Sequence, residues 1–141
     1  MGSALAELQA HVRAMEEAYE FFLAYAAQGL PDDRQSPVGR QLREHLERSV
    51  DACRLLPELV ASAAAEAGLA PAPAYEAFAS VLAADADRAR VMLELVLAQP
   101  GISSQLIDNL NAVIHVRALL TDLFVIDEIL SRRLPAQAAA V

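Results

Sequence analysis

The stretch Ile102 to Leu134 constrains the fold more than any other part of the chain, because it is apolar on nearly every side and carries one thin polar line. Read as a single helix at about 100° per residue, Ser104, Asp108, Asn111, His115 and Asp122 fall within about 60° of one another. Leu106, Leu110, Val113, Leu120 and Phe124 cover one flank, and Ile107, Ile114, Val125 and Ile129 the other. A helix with two apolar flanks has to be covered on both, either by its own domain and a second subunit or by a very complete bundle. The expectation is an all-α chain that forms a homodimer, with Ile107, Ile114, Val125 and Ile129 at the interface.

The remainder reads as three more helices separated by clear punctuation. The first follows Ser3, an N-cap residue type, and carries Leu5, Leu8, Val12, Met15, Tyr19, Phe22 and Ala26 at alternating spacings of three and four before Gly29 and Pro31 end it. The second opens at Ser36 with Pro37 at its first position and runs to Gly68. Its inward seam is Val38, Leu42, His45, Ser49, Ala52, Leu56 and Leu59, and Arg40, Arg43 and Glu44 stand four residues before Glu44, Glu47 and Arg48 on an exposed face. Pro57 removes a backbone donor and crowds the carbonyl of Cys53, so a kink or break is expected there. The third helix follows Pro71 and Pro73, with a seam of Tyr75, Phe78, Leu82, Asp85, Ala89, Met92 and Val96, and ends at Pro100 and Gly101. Ser103 caps the fourth, which Pro135 should stop. Short connections favour antiparallel neighbours, so the predicted architecture is an up-down-up-down four-helix bundle over residues 1–135, with a frayed tail at 136–141.

Composition narrows the functional classes. The 141 residues are 55% hydrophobic and only 5% aromatic, so the core is built from Ala, Leu and Val. A net charge of −8 and the absence of lysine argue against a surface that tracks nucleic-acid phosphates or an anionic membrane. No segment reads as a signal peptide or a membrane span, and Cys53 stands alone, so the expected setting is cytoplasmic.

Counting residues outward from each loop places His11, Cys53, Asp85 and His115 in one layer, to within about one turn. Imidazole, carboxylate and thiolate together make a ligand set for zinc or non-haem iron, with a redox or sensor role. Against this, neither Glu-x-x-His nor HExxH occurs, and a structural Asp85 to His115 hydrogen bond explains the same layer. GxSxG, GxGxxG and Walker sequences are also missing. The favoured reading is a non-enzymatic scaffold, adaptor or assembly factor without a cofactor, acting through protein contacts, with the metal-binding bundle as its rival.

Overall fold

In the computed structural model of the chain, which describes residues 3–140 and side chains as far as Arg132, the fold is all-helical. Five helices follow one another: α1 (Ala4–Ala27), α2 (Pro37–Ala67), α3 (Ala72–Leu97), α4 (Ser104–Ala112) and α5 (Ile114–Ala140). Among the described residues no helix is long and apolar enough to cross a membrane. Three serines start helices as their positions foretell: Ser3, Ser36 and Ser103 accept from the backbone N–H groups of Ala6, Gly39 and Leu106 at 3.0, 3.1 and 3.0 Å. At the far end of α2, Gly68 adopts a left-handed conformation that a side chain would strain, and Leu69 behind it donates to the Ala64 carbonyl and is buried.

At two prolines the helical run continues where a break or a stop was among the expectations. The helical run of α2 does not break at Pro57. One hydrogen bond is lost there, while Leu56 and Val60 on either side are fully packed into the core. The chain also stays helical past Pro135, to Ala140. Whether the tail 136–141 packs against anything lies outside the described side chains.

The predicted fourth helix is two helices. Val113 is extended (φ −62°, ψ 127°), donating to Leu110 O at 3.1 Å, and the helical pattern resumes with Arg117 donating to Val113 O. Packing explains the break. On one continuous helix Ile107 and Leu123 would point about 160° apart, and the two could not both face one core. A single extended residue re-aims the chain, so that Ile107 and Leu110 pack on the α1 side while Leu119, Leu123, Ile126 and Leu130 pack mainly against α3. Asn109, Asn111, Val113 and Ile114 are all indifferent helix formers, which lowers the cost of the break. Part of the double apolar flank that marks this stretch is thus two inward stripes offset by the break.

α2 lies between α1 and α3, α4 packs on α1, and α5 packs mainly on α3 with smaller contacts to α1 and α4. A buried polar knot joins the α1–α2 and α3–α4 connections at one end. Asp33, 4% exposed, accepts from Arg43 Nε and from the backbone N–H of Ile102, both at 2.6 Å. Arg43 also donates to the carbonyls of Leu97 (3.2 Å), Gln99 (2.9 Å) and Pro100 (3.4 Å). Tyr25 donates its hydroxyl to Ile102 O at 2.7 Å, and Ser104 Oγ donates to Tyr25 O while accepting from Leu30 N. Gly39 permits the approach, since a Cβ there would sit 1.8 Å from the Asp33 carbonyl oxygen. Arg43 therefore clamps a loop; the expected pairing with Glu47 is not formed. Of the three expected spacing-four pairs, only Glu44 with Arg48 is present among the described residues, at 3.8 Å.

Candidate functional site

The four residues counted into a metal layer do not come together. Among the described residues, no group of three or more His, Cys, Asp or Glu side chains is placed to hold a metal ion. Cys53 is buried in α2, and burial pushes its thiol up to about 12, so it stays protonated. His11 is half-buried on α1, and His115 is exposed in the first turn of α5. The residue count went wrong because α4 runs beside α1, which moves α5 along α3 by two turns. Asp85 meets Asp122 instead of His115.

That meeting is an acid pair. The carboxyl of Asp122 (α5) lies near that of Asp85 (α3), and Asp122 Oδ2 is buried without a hydrogen-bond partner. Burial, followed by the neighbouring Asp85 carboxyl, pushes Asp122 up to about 7. A second acid pair joins Glu16 (α1) to Asp127 (α5), and Glu16 is raised by burial first and then by Asp127. Spacing alone did not expose either pair, because each depends on which face of α5 turns inward after the break at Val113. Asn111, just before that break, is 8% exposed, with neither polar side-chain atom bonded. His45, placed on the seam by spacing, lies half-buried against Phe21 with ring centroids 4.6 Å apart, and burial, more than the nearby Arg48, lowers its pKa.

Of the four proposed interface residues, Ile107 belongs to the core, at 0% exposure, because α4 turns it inward. The other three remain outside: Ile114 is 74% exposed, Val125 52% and Ile129 41%. Along the outer side of α5, Ile114, Ala118, Thr121 and Val125 recur at spacings of four, three and four.

The neighbouring helix carries a longer stripe that the seam reading passed over. Ala74, Ala77, Val81, Ala84, Arg88, Val91 and Leu95 recur strictly at three and four on α3, and every one is exposed. Val81, Val91 and Leu95 are 53%, 53% and 57% exposed. This is the heptad pattern of a helix that packs on another helix, on the face turned away from the core. Its ends border two apolar grooves. Ala74 lines one of about 230 Å³ with Tyr75, Phe78, Val125 and Ile129; Leu95 lines another of about 260 Å³ with Met92, Leu106 and Val113. The outer sides of α3 and α5 therefore meet in one apolar surface, in which Arg88 is the charged member of the α3 stripe. The signal was present in the spacing of the third helix, but the stronger Tyr75 to Val96 seam masked it. No protein-family model, no curated protein and no solved structure matches this chain.

Proposed function

We propose that this chain is a non-enzymatic protein-contact module, a scaffold, adaptor or assembly factor, that forms a homodimer through the outer face of α3 and α5. The observation that carries the reading is the exposed heptad stripe from Ala74 to Leu95, continuous with Val125 and Ile129 across the groove. A stripe of that length extends about 30 Å, and two helices side by side are about 20 Å wide, giving roughly 600 Å² per partner. Twice that area falls at the lower end of what stable interfaces bury. Ala and Val at the contact positions permit close approach of a second helix pair, and a two-fold arrangement uses the same patch on both copies.

In this reading α4 and α5 together make the fourth column of an up-down-up-down bundle, and a cytoplasmic setting suits the lone, buried Cys53. A zinc or iron site at His11, Cys53, Asp85 and His115 has no comparable support. Val81→Glu and Val125→Glu test the interface by light scattering on eluting protein, with Leu55→Glu on the exposed side of α2 as control. The expected result is that the first two dissociate the dimer with helicity retained while the control does not. Equal masses for all three variants would overturn the proposed face.

A further inference from the structure

We propose that the two copies lay α3 against α3 in antiparallel register about Ala84, with Arg88 of each copy set against Asp85 of the other. The inference rests on the homodimer reading and adds to it an orientation, a register and a charge pairing.

The exposed stripe is graded in size along its length. It begins with Ala74 and Ala77, ends with Val91 and Leu95, and has Ala84 as its middle member. Laid antiparallel about Ala84, each small residue meets a large one: Ala74 the partner's Leu95, Ala77 the partner's Val91, and Val81 the aliphatic stem of the partner's Arg88. Ala84 meets its own copy, so the backbones come closest at the centre, which is where two crossing helices must approach each other most nearly. Laid parallel, the same stripe would stack Leu95 on Leu95 at one end and leave a gap between alanines at the other, forfeiting dispersion contacts along the seam. A two-fold axis across the helices also lays α5 against α5, so that Val125 and Ile129 are covered in the same operation.

Charge selects the same orientation. Arg88 is exposed and has no acid within ion-pair distance among the described residues, whereas nearby Arg90 is held by Asp87 and Glu94, both at 2.6 Å. Asp85 lies half-buried at the edge of the stripe, with no cation paired to it among the described residues. Helical side chains lean toward the N-terminus, so Arg88 leans toward Ala84 and the centre of the pair. In this register the partner's Asp85 lies about 7 Å along the axis from Arg88, within reach of a guanidinium on an extended stem. The incoming cation also arrives beside Asp122, whose Oδ2 is buried without a hydrogen bond. The two Arg88 side chains start about 12 Å apart, where salt screens them; a parallel pair would set them face to face.

Disulfide trapping of full-length single-site variants under diamide tests the register, with the wild-type chain, whose Cys53 is buried, as blank. Ala84→Cys should yield a covalent dimer. Ala77→Cys and Val91→Cys should each stay uncrosslinked alone, since like positions lie about 21 Å apart, and should crosslink when the two variants are mixed. Arg88→Glu should raise the dimer dissociation constant roughly tenfold or more at low salt. All three cysteine variants crosslinking alone would mean a parallel pair and overturn the proposal. So would a wild-type dimer in which Ala84→Cys fails to crosslink, or one that Arg88→Glu leaves equally tight; both would leave the homodimer itself standing. A wild-type chain that sediments as a monomer would overturn the homodimer and this register with it.

Discussion

Removing the Asp33 carboxylate should destabilise the chain more than any single contact on its surface, by an amount that can be worked out bond by bond. Asp33 accepts from the buried N–H of Ile102 at 2.6 Å and from Arg43 at 2.6 and 3.4 Å, with its side chain 3% exposed. In Asp33→Ala the Ile102 N–H is stranded, at about 1–3 kcal/mol. Arg43 is 29% exposed and keeps the carbonyls of Leu97, Gln99 and Pro100, so its loss adds only about 1 kcal/mol. The sum is about 3 kcal/mol. Arg43→Ala should cost more, about 3–5 kcal/mol, because it leaves a buried carboxylate with one backbone donor. Tyr25→Phe, which deletes one 2.7 Å bond to Ile102 O, should cost about 1 kcal/mol. Urea melts at neutral pH would give the order Arg43→Ala, Asp33→Ala, Tyr25→Phe, and the double variant should cost less than the sum of the singles. Costs below about 1 kcal/mol for both Asp33→Ala and Arg43→Ala would refute the claim that this knot fastens the two loops.

Two further outcomes follow from the buried polar groups. Asp122 rises from 3.8 to about 7 in the folded chain, an upper bound of about 4 kcal/mol that solvent at this half-buried site reduces to about 1–2 kcal/mol. A raised carboxyl makes the folded state weaker as pH climbs from about 4 to about 7, so Asp122→Asn should be more stable than wild type at pH 8, by a margin that narrows at pH 5. Taking the difference between the two chains cancels the opposite trend from His45, and Asp32, lowered to about 2 mainly by its hydrogen bond with Arg34, acts only at lower pH. Melts at the two pH values check the sign. Asn111→Leu removes two unbonded buried polar atoms without opening a cavity and should stabilise by about 1 kcal/mol, read as a shift of the urea midpoint.

The caps and the seams of the first three helices were legible because their signals are local. Ser3, Ser36 and Ser103 cap where spacing placed them, and Leu8, Val12, Met15, Phe22, Leu42 and Leu56 face the core as the periodicity required. On α3 the buried line is Leu82, Ala86, Ala89, Leu93 and Val96, and the predicted Tyr75, Phe78, Asp85 and Met92 form its half-exposed edge. Leu82, Ala89 and Val96 were on the predicted seam, but Ala86 and Leu93 were missed, because a small residue at Ala86 weighs little in a reading by size. The break at Val113 was illegible for a different reason. No proline or glycine marks it, and it exists because two apolar stripes must face one core. Everything downstream inherited that miss: Ile107 was assigned to an interface, His115 to a ligand set, and Asp85 to the wrong partner. Asp33 and Arg43 were passed over because a loop aspartate and a helical arginine look like surface residues until two distant loops meet.

Self-association through the outer sides of α3 and α5 is most directly tested by sedimentation equilibrium of the unmodified chain at tens of micromolar. The 15.1 kDa chain should sediment with twice its own mass, falling toward the single-chain value on dilution. A mass of 15.1 kDa throughout that range would contradict the account and leave the exposed stripe from Ala74 to Leu95 without the partner assigned to it.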